Sequence, residues 1–372
     1  MSPRLFPLVV TVAIALPVVA LALPYLRRPT PRPARPPPAL PAGVVRKFTP
    51  EGLEILVARP PSDLSATQSA PILLLHGAFG TATEWNRWLP YLASKGRTVY
   101  AVSLSGMSVS LNFGANINVF GTLITFAGHG ESPRPPNFVF MGLRDLSFDL
   151  QAALNDIFLD DVLAPEPVLV AHSAGGGLAQ YALANSNPDD GPLVSGLILL
   201  GSIPPSGMHR VLVRWWIHLD PWCIPRALWD MGDLRSPLST PLLVQRAFFT
   251  ADTPQGDVQE FFDFDINHEE AVSWMRDMMF RYVEPRNVKA KVPGERVFCV
   301  GGARDALVTQ DIVRDTADDY GVGVEYVPRA GEFPFVFLIL TDFASPGHHI
   351  QNDVSWREAA DVVLHKVEEW GL

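Results

Sequence analysis

The chain has 372 residues, of which 48% are hydrophobic and 18% are charged, and this balance excludes an intrinsically disordered protein. The formal net charge of −10 argues against nucleic acid as a partner, because a phosphate backbone would be repelled. The two cysteines, Cys223 and Cys299, are too few for a disulfide scaffold or a cysteine-rich zinc site.

The N-terminal segment, residues 1–28, is predicted to direct the chain to a membrane. Residues 5–26 read LFPLVVTVAIALPVVALALPYL and carry no charge, and about 20 apolar residues are enough to span a bilayer. This length favours a single uncleaved anchor over a cleaved signal peptide, whose apolar region has about 7–15 residues. Cleavage after Ala20-Leu21-Ala22, which would give a secreted protein, is the alternative. Residues 29–43 are rich in proline and predict a stiff, extended linker.

Residues 44–372 are predicted to form an α/β domain. Apolar runs typical of strands alternate with helical apolar spacings after a leading hairpin in residues 44–60. The predicted strands are 71–76, 98–104, 167–171, 197–200, 297–300 and 324–327. The predicted helices are 83–96, 143–159, 174–185, 310–320 and 356–370. Such alternation implies a doubly wound, mainly parallel sheet with helices on both faces.

The strongest catalytic signal lies in residues 167–177, PVLVAHSAGGG, which predict a buried strand, a sharp turn and a helix. A serine nucleophile at Ser173 fits this turn, because the turn would expose its hydroxyl at the carboxyl end of the sheet beside a helix N-terminus. Ala171 stands where the G-x-S-x-G signature has its first glycine. A plain helix cap at Ser173 is the alternative that this motif alone leaves open.

Two further loops support the interpretation of the serine. Residues 73–80, LLLHGAFG, follow the preceding strand, and a loosened loop there can aim the N–H of Ala78 or Phe79 at an oxyanion, together with the Ala174 N–H. The second loop, residues 128–133, reads GHGESP. On these three motifs the chain resembles the α/β-hydrolase superfamily, in particular its cap-bearing branch of esterases, epoxide hydrolases and dehalogenases.

The resemblance covers roughly residues 44–372 and implies where the other catalytic residues stand. Members carry the acid after a late strand and the histidine after the last strand, in the order Ser, Asp, His. Asp305 matches the acid position, and His348, which directly follows a glycine, matches the histidine; His349 is the alternative. Epoxide hydrolases and dehalogenases use aspartate where Ser173 stands, so the resemblance favours a serine hydrolase.

The predicted function is therefore hydrolysis of a small hydrophobic carboxylic ester by Ser173, His348 and Asp305, without a metal or cofactor. Residues 206–290 interrupt the strand pattern and are predicted to form a helical cap. Most of its many aromatic and methionine side chains would make its own core, and some would line an apolar pocket. An acyltransferase or a carbon–carbon bond hydrolase with the same triad is one alternative. A membrane-tethered, catalytically inactive binding protein is the other.

Two apolar blocks, residues 107–127 and 332–346, do not fit the pattern of the superfamily. Removal of residues 107–128 leaves YAVSLSGHGESP, a continuous match to related proteins, and removal of residues 332–347 leaves VPRAGHHIQND. At the start of each block, the codons can supply the GT that begins an intron, and at its end they can supply the CAG that ends one. Removal of each block also keeps the reading frame. We therefore expect both blocks to be translated introns of a eukaryotic gene model. Genuine insertions, such as lid loops or membrane-dipping elements, are the alternative.

Overall fold

A computed structural model gives the structure of the protein, and the residues that it describes are 38–61, 69–104, 132, 137–187, 191–230, 232–267, 270–327 and 347–372. The predicted membrane segment at residues 5–26, most of the linker and the apolar blocks 107–127 and 332–346 lie outside these ranges. Within the ranges, no helix is both long enough and apolar enough to cross a membrane.

The strands of the described residues form one mainly parallel sheet. They are β1 Val44–Phe48, β2 Glu54–Ala58, β3 Ile72–Leu75, β4 Val99–Val102, β5 Val168–His172, β6 Gly196–Leu200, β7 Val297–Gly302 and β8 Val324–Val327. Their order across the sheet is β1-β2-β4-β3-β5-β6-β7-β8. β2 is antiparallel to β1 and to β4, and the neighbours from β4 to β8 are parallel. The predicted hairpin and parallel sheet are confirmed.

The inner strands are buried on both faces, which explains their uninterrupted apolar sequences. β3 reads ILLL and β6 reads GLILL, and every residue of both strands is buried, as expected for parallel strands that are covered on both sides. Successive side chains point to opposite faces. Leu73 and Leu75 join one apolar core, whereas Ile72 and Leu74 join another. The sheet therefore separates two cores.

Helices close both cores. The α-helices of the described residues are α1 Trp88–Ser94, α2 Leu143–Asp160, α3 Ser173–Ala184, α4 His209–Arg214, α5 Cys223–Trp229, α6 Pro241–Phe248, α7 Gln255–Phe264, α8 Val272–Phe280, α9 Pro285–Lys289, α10 Gln310–Tyr320 and α11 Trp356–Glu369. α1 and α11 contribute to one core, and α2, α3 and α10 contribute to the other. The predicted doubly wound α/β architecture is confirmed.

One predicted helix, residues 83–96, divides into two elements. A 3-10 turn spans Ala82–Trp85, and α1 begins only at Trp88. The reason is Pro90, which lies in the first turn of α1. Proline lacks an N–H, and its ring clashes with the carbonyl group four residues earlier, so one continuous helix through this region is disfavoured.

The long connection between β6 and β7 is helical and contains α4 to α9, as the predicted cap requires. Phe248 and Phe261 are buried in it, with ring centroids 5.7 Å apart, and such residues form the expected core. Trp216, Trp222 and Trp229 are instead exposed, the last of them by 89%. The expectation that most of the aromatic residues of the cap fill its core therefore does not hold for these three tryptophans.

Candidate active site

The turn that carries Ser173 joins the end of β5 to the start of α3. Ser173 has φ = 52°, a left-handed conformation that costs a residue with a side chain roughly 1–2 kcal/mol. The packing around the turn is close: a Cβ atom at Gly175 would lie 2.1 Å from the His76 carbonyl oxygen, and one at Gly176 would lie 2.1 Å from Ser202 Oγ. Glycine is therefore required at both positions, and Ser173 occupies the bend of a strand–turn–helix.

Ser173, His348 and Asp305 form one hydrogen-bonded chain. Ser173 Oγ lies 2.9 Å from His348 Nε2, and His348 Nδ1 lies 2.7 Å from Asp305 Oδ2. All three residues are buried, with 9%, 2% and 4% of their surface exposed, respectively. They meet because β5, β7 and β8 are parallel and therefore end at the same edge of the sheet. The three residues that the sequence singled out are thus brought together.

The Asp305 carboxylate is held through both of its oxygens. Oδ1 accepts hydrogen bonds from the N–H groups of Leu307 and Val308, at 2.8 and 2.9 Å. Oδ2 accepts from His348 Nδ1. With the imidazole proton on Nδ1, the lone pair of Nε2 faces the hydroxyl of Ser173. The arrangement can therefore take up the proton of the serine.

The loop after β3 lies against the serine turn. A Cβ atom at Gly77 would lie 2.9 Å from Ser173 Cβ, so glycine is needed for this approach. Ala78 follows directly, and no described residue accepts a hydrogen bond from its N–H. The Ala174 N–H belongs to the first turn of α3, where backbone N–H groups have no partner within the helix. Within the described part of the chain, no other acceptor is bound to these two N–H groups, so both could donate to a substrate oxygen.

Phe79, the other candidate donor of this loop, is already engaged. Its N–H donates a hydrogen bond to Oε1 of Glu270, a buried residue of the cap. Phe79 has φ = 62°, so Glu270 binds the loop at a residue whose conformation is uncommon for residues other than glycine. Of the two alternatives for an oxyanion donor, the geometry favours Ala78.

His349, the alternative catalytic histidine, lies in an aromatic cluster. The centroid of its ring is 4.5 Å from that of Phe261 and 5.1 Å from that of Phe249. Burial and the neighbouring His348 lower the pKa of His349 to about 3, so its imidazole is neutral near pH 7. The hydrogen bond to the serine hydroxyl belongs to His348.

Several polar residues around the site have no part in the motifs. Glu84, Gln351 and Glu270 are buried, and each makes a hydrogen bond to a loop of the site. His172 is also buried and hydrogen-bonded there; its place next to Ser173 is the one signal by which sequence reasoning could have found it. Among the described residues, no group of three or more His, Cys, Asp or Glu side chains could hold a metal ion.

The fold is similar to several solved structures. A bromoperoxidase from Bacillus anthracis is 14% identical, with 87% of this chain and 100% of that chain covered and a TM-score of 0.56. An esterase from Rhodococcus sp. is 17% identical, with 87% and 98% covered and a TM-score of 0.54. A thermophilic esterase from Thermogutta terrifontis is 15% identical, with 88% and 99% covered and a TM-score of 0.54. At these identities the likeness shows the fold alone, and no curated protein matches the chain.

A sequence model provides the evidence for the family. The model of the alpha/beta hydrolase family matches residues 72–338, which is more than half of the chain. The matched span runs from β3 past the end of β8 and includes Ser173 and Asp305, whereas His348 follows it. The chain therefore belongs to the alpha/beta hydrolase family.

Proposed function

We propose that the protein is a serine hydrolase that cleaves carboxylic esters with a hydrophobic part. The observation that carries this proposal is the buried hydrogen-bonded chain from Ser173 through His348 to Asp305. The N–H groups of Ala78 and Ala174 would serve as donors for an oxyanion. Membership of the alpha/beta hydrolase family supports a hydrolase in general.

The first half of the reaction would acylate the serine. Ser173 Oγ attacks the ester carbonyl carbon while its proton passes to His348 Nε2. The carbonyl oxygen becomes an oxyanion, which the N–H groups of Ala78 and Ala174 stabilise. The tetrahedral intermediate then expels the alcohol, which takes its proton from His348. Asp305 holds the imidazole in the required tautomer and stabilises its protonated form.

The second half would release the acid. A water molecule gives a proton to His348 Nε2 and attacks the acyl carbon, so that the same oxyanion forms again. When this intermediate collapses, Ser173 Oγ leaves and recovers its proton from His348. The products are the free acid and the starting enzyme, so the cycle needs no other reactant than water.

The side chains next to His348 support a hydrophobic substrate. The Phe248 ring stacks on the His348 imidazole, with centroids 5.8 Å apart and planes at 27°. Trp215 is half-buried and packs edge-on against Phe248, with centroids 6.0 Å apart. Because burial of apolar surface stabilises binding by about 25 cal/mol per Å², an alkyl or aryl group of the ester would gain affinity at this wall.

The predicted anchor would place this enzyme at a membrane. Residues 5–26 are uncharged and long enough to span a bilayer. Leu40 packs against the domain, and the Val44 N–H donates to the Pro41 carbonyl oxygen, so residues 40–43 belong to the domain rather than to an extended linker. The proline-rich residues 29–39 would extend about 3.1 Å per residue and would keep the domain within roughly 35 Å of the bilayer. Alkaline carbonate extraction of the full chain tests this: retention in the pellet supports the anchor. Release of a chain that begins near Leu23 supports the secreted alternative.

Substitution of the serine tests the proposed chemistry. Ser173→Ala in the full chain is assayed with p-nitrophenyl butyrate and with a fluorophosphonate probe that labels activated serines. Loss of a nucleophile lowers kcat by about 10⁴- to 10⁶-fold, and we expect labelling to disappear. The matched control is Ser186→Ala, since Ser186 follows the far end of α3 and its hydroxyl donates to the Leu183 carbonyl. Activity of Ser173→Ala within about tenfold of wild type would exclude Ser173 from the mechanism.

A further inference from the structure

We propose that His172 is a positioning residue for His348, as part of a buried hydrogen-bond network with Gln351 and Glu84. The inference rests on the proposed function, because it gives these residues the task of aligning the catalytic histidine. They would act through the backbone of His348. No sequence motif assigns a role to Gln351 or Glu84, and the reaction described above does not use them.

The network connects three loops of the site. His172, at the end of β5, places its Nε2 atom 2.9 Å from the His348 carbonyl oxygen. Its Nδ1 atom lies 3.0 Å from Nε2 of Gln351, a residue of the histidine loop. The same Gln351 nitrogen lies 3.1 Å from Oε2 of Glu84, in the segment after β3. One chain of hydrogen bonds therefore joins the serine turn, the histidine loop and the segment after β3.

The acceptors at the two ends of the network determine the direction of each hydrogen bond. A carbonyl oxygen can only accept, so His172 must carry its proton on Nε2 and accept at Nδ1. Gln351 then donates one amide hydrogen to Nδ1 of His172 and the other to the Glu84 carboxylate. Burial, together with the nearby His348, lowers the pKa of His172 well below its ordinary value. The ring therefore stays in the neutral form that this pattern needs.

The network holds the backbone of His348, the residue whose side chain takes part in the proposed reaction. The imidazole of His348 is held by Ser173 and Asp305, and the His172 bond holds the backbone of the same residue. Asn352 makes a second hydrogen bond between the histidine loop and the segment after β3, because its Nδ2 donates to the Glu84 carbonyl oxygen at 2.9 Å. A displacement of about 1 Å in a catalytic group can lower the rate about 10²-fold. Loss of the network should therefore lower kcat more than it raises KM.

Two substitutions separate the hydrogen bond of His172 from the space that its ring fills. His172→Phe keeps a ring but has no hydrogen-bond donor. His172→Gln has no ring but keeps an N–H donor, and its amide nitrogen is as many bonds from the backbone as Nε2 of the histidine. We expect His172→Phe to lower kcat for p-nitrophenyl butyrate by about 30- to 100-fold at similar KM. His172→Gln should restore kcat to within about fivefold of wild type. All rates are divided by the concentration of active sites, which is titrated with a fluorophosphonate. Misfolded protein therefore does not lower the value of kcat.

Gln351 provides a second route if His172→Phe does not fold. Gln351→Met keeps the length of the side chain and removes both donors, and we expect about a tenfold lower kcat. In combination with His172→Phe it should add little, because groups that act through one network are not additive. The control is Tyr320→Phe, which removes a buried hydrogen bond to Gln180 and should lower Tm at unchanged kcat.

The outcomes distinguish this inference from the proposed function. A wild-type chain that neither binds the fluorophosphonate nor cleaves the ester refutes the proposed function, and the inference fails with it. An active wild type together with His172→Phe and Gln351→Met variants within about threefold of its kcat refutes the positioning role alone. Equal losses in His172→Gln and His172→Phe, or additive losses in the double variant, also refute it.

Discussion

The contact between Glu270 and Phe79 gives a sharp prediction about the oxyanion loop. Glu270→Ala removes the acceptor of the buried Phe79 N–H, whereas Glu270→Gln keeps an oxygen acceptor of the same length. The contact lies one residue after Ala78, whose N–H we propose as an oxyanion donor. We therefore expect Glu270→Ala to disturb catalysis and Glu270→Gln to have a small effect.

The size of the effect follows from two contributions. A buried N–H without an acceptor costs about 1–3 kcal/mol, and the left-handed conformation of Phe79 (φ = 62°) costs roughly another 1–2 kcal/mol when no contact compensates it. The loop should therefore relax rather than keep its shape. If the Ala78 N–H then leaves its position, kcat should fall about 10²- to 10³-fold, the usual cost of one oxyanion donor. KM should change little, because the donor binds the transition state more strongly than the ground state.

The assay is kcat and KM for p-nitrophenyl butyrate, with thermal unfolding measured on the same samples. The matched control is Glu284→Ala, a half-exposed acid of the cap that pairs with Arg286 at 3.5 Å. An exposed pair of this kind contributes about 0–1 kcal/mol, so the control should keep its activity. Wild-type kcat in Glu270→Ala would show that Glu270 does not shape the oxyanion loop.

Two further predictions concern acidic and basic groups. Asp305→Asn should lower kcat by about 10⁴-fold with the fold intact, because the amide no longer selects the required tautomer of His348; circular dichroism and steady-state kinetics check this, and a loss below about tenfold would contradict it. The neutral, buried His349 should make the protein sensitive to acid. Its pKa is about 3 in the folded chain and about 6.5 in an unfolded chain, so the unfolded state binds more protons between these values and the free energy of unfolding decreases as the pH falls. His349→Asn should reduce the decrease between pH 7 and pH 5 by about 2 kcal/mol in urea unfolding; an unchanged decrease would contradict the assignment.

The sheet and the serine turn could be predicted because their signals are local. Buried parallel strands need uninterrupted apolar runs, and VLVA at the start of β5 and ILLL in β3 show them directly. The bend at Ser173 needs small residues next to it, since Gly175 and Gly176 leave no space for a Cβ atom. Each of these requirements falls on a short stretch of sequence, so each leaves a readable pattern.

The finer features of the site could not be predicted, because they depend on contacts between distant residues. His348 and His349 are neighbours in sequence, and their roles are separated by contacts with distant residues: His348 is bonded to Ser173 and Asp305, whereas His349 packs among aromatic rings. Glu270 meets Phe79 across 191 positions, and it lies in a cap that has no motif. A single buried hydrogen bond of this kind imposes one residue type at one position, which is too little for a pattern.

The described residues next to each apolar block lie close together in space. At the first block, Ser132 Oγ donates to the Ser103 carbonyl oxygen at 2.8 Å. At the second block, Val327 pairs with Gly302 in the sheet, and a Cβ atom at Gly302 would lie 2.4 Å from the Gly347 carbonyl oxygen. In both cases, the described residues that precede the block therefore lie close in space to those that follow it.

Such closely spaced ends mean that residues 107–128 and 332–347 could be absent without separating the described parts of the chain. The prediction of translated introns requires this, and genuine insertions would allow it equally. Without the two blocks, five residues would connect Leu104 to Ser132, and three would connect Val327 to the glycine before His348. At up to about 3.5 Å per residue, both connections would be long enough, and the shortened chain would keep its sheet and its three candidate catalytic residues. Transcript sequencing should give spliced reads that skip both blocks in frame. Reads that continue through both blocks at full abundance would contradict the prediction, because the blocks would then be true insertions beside the site.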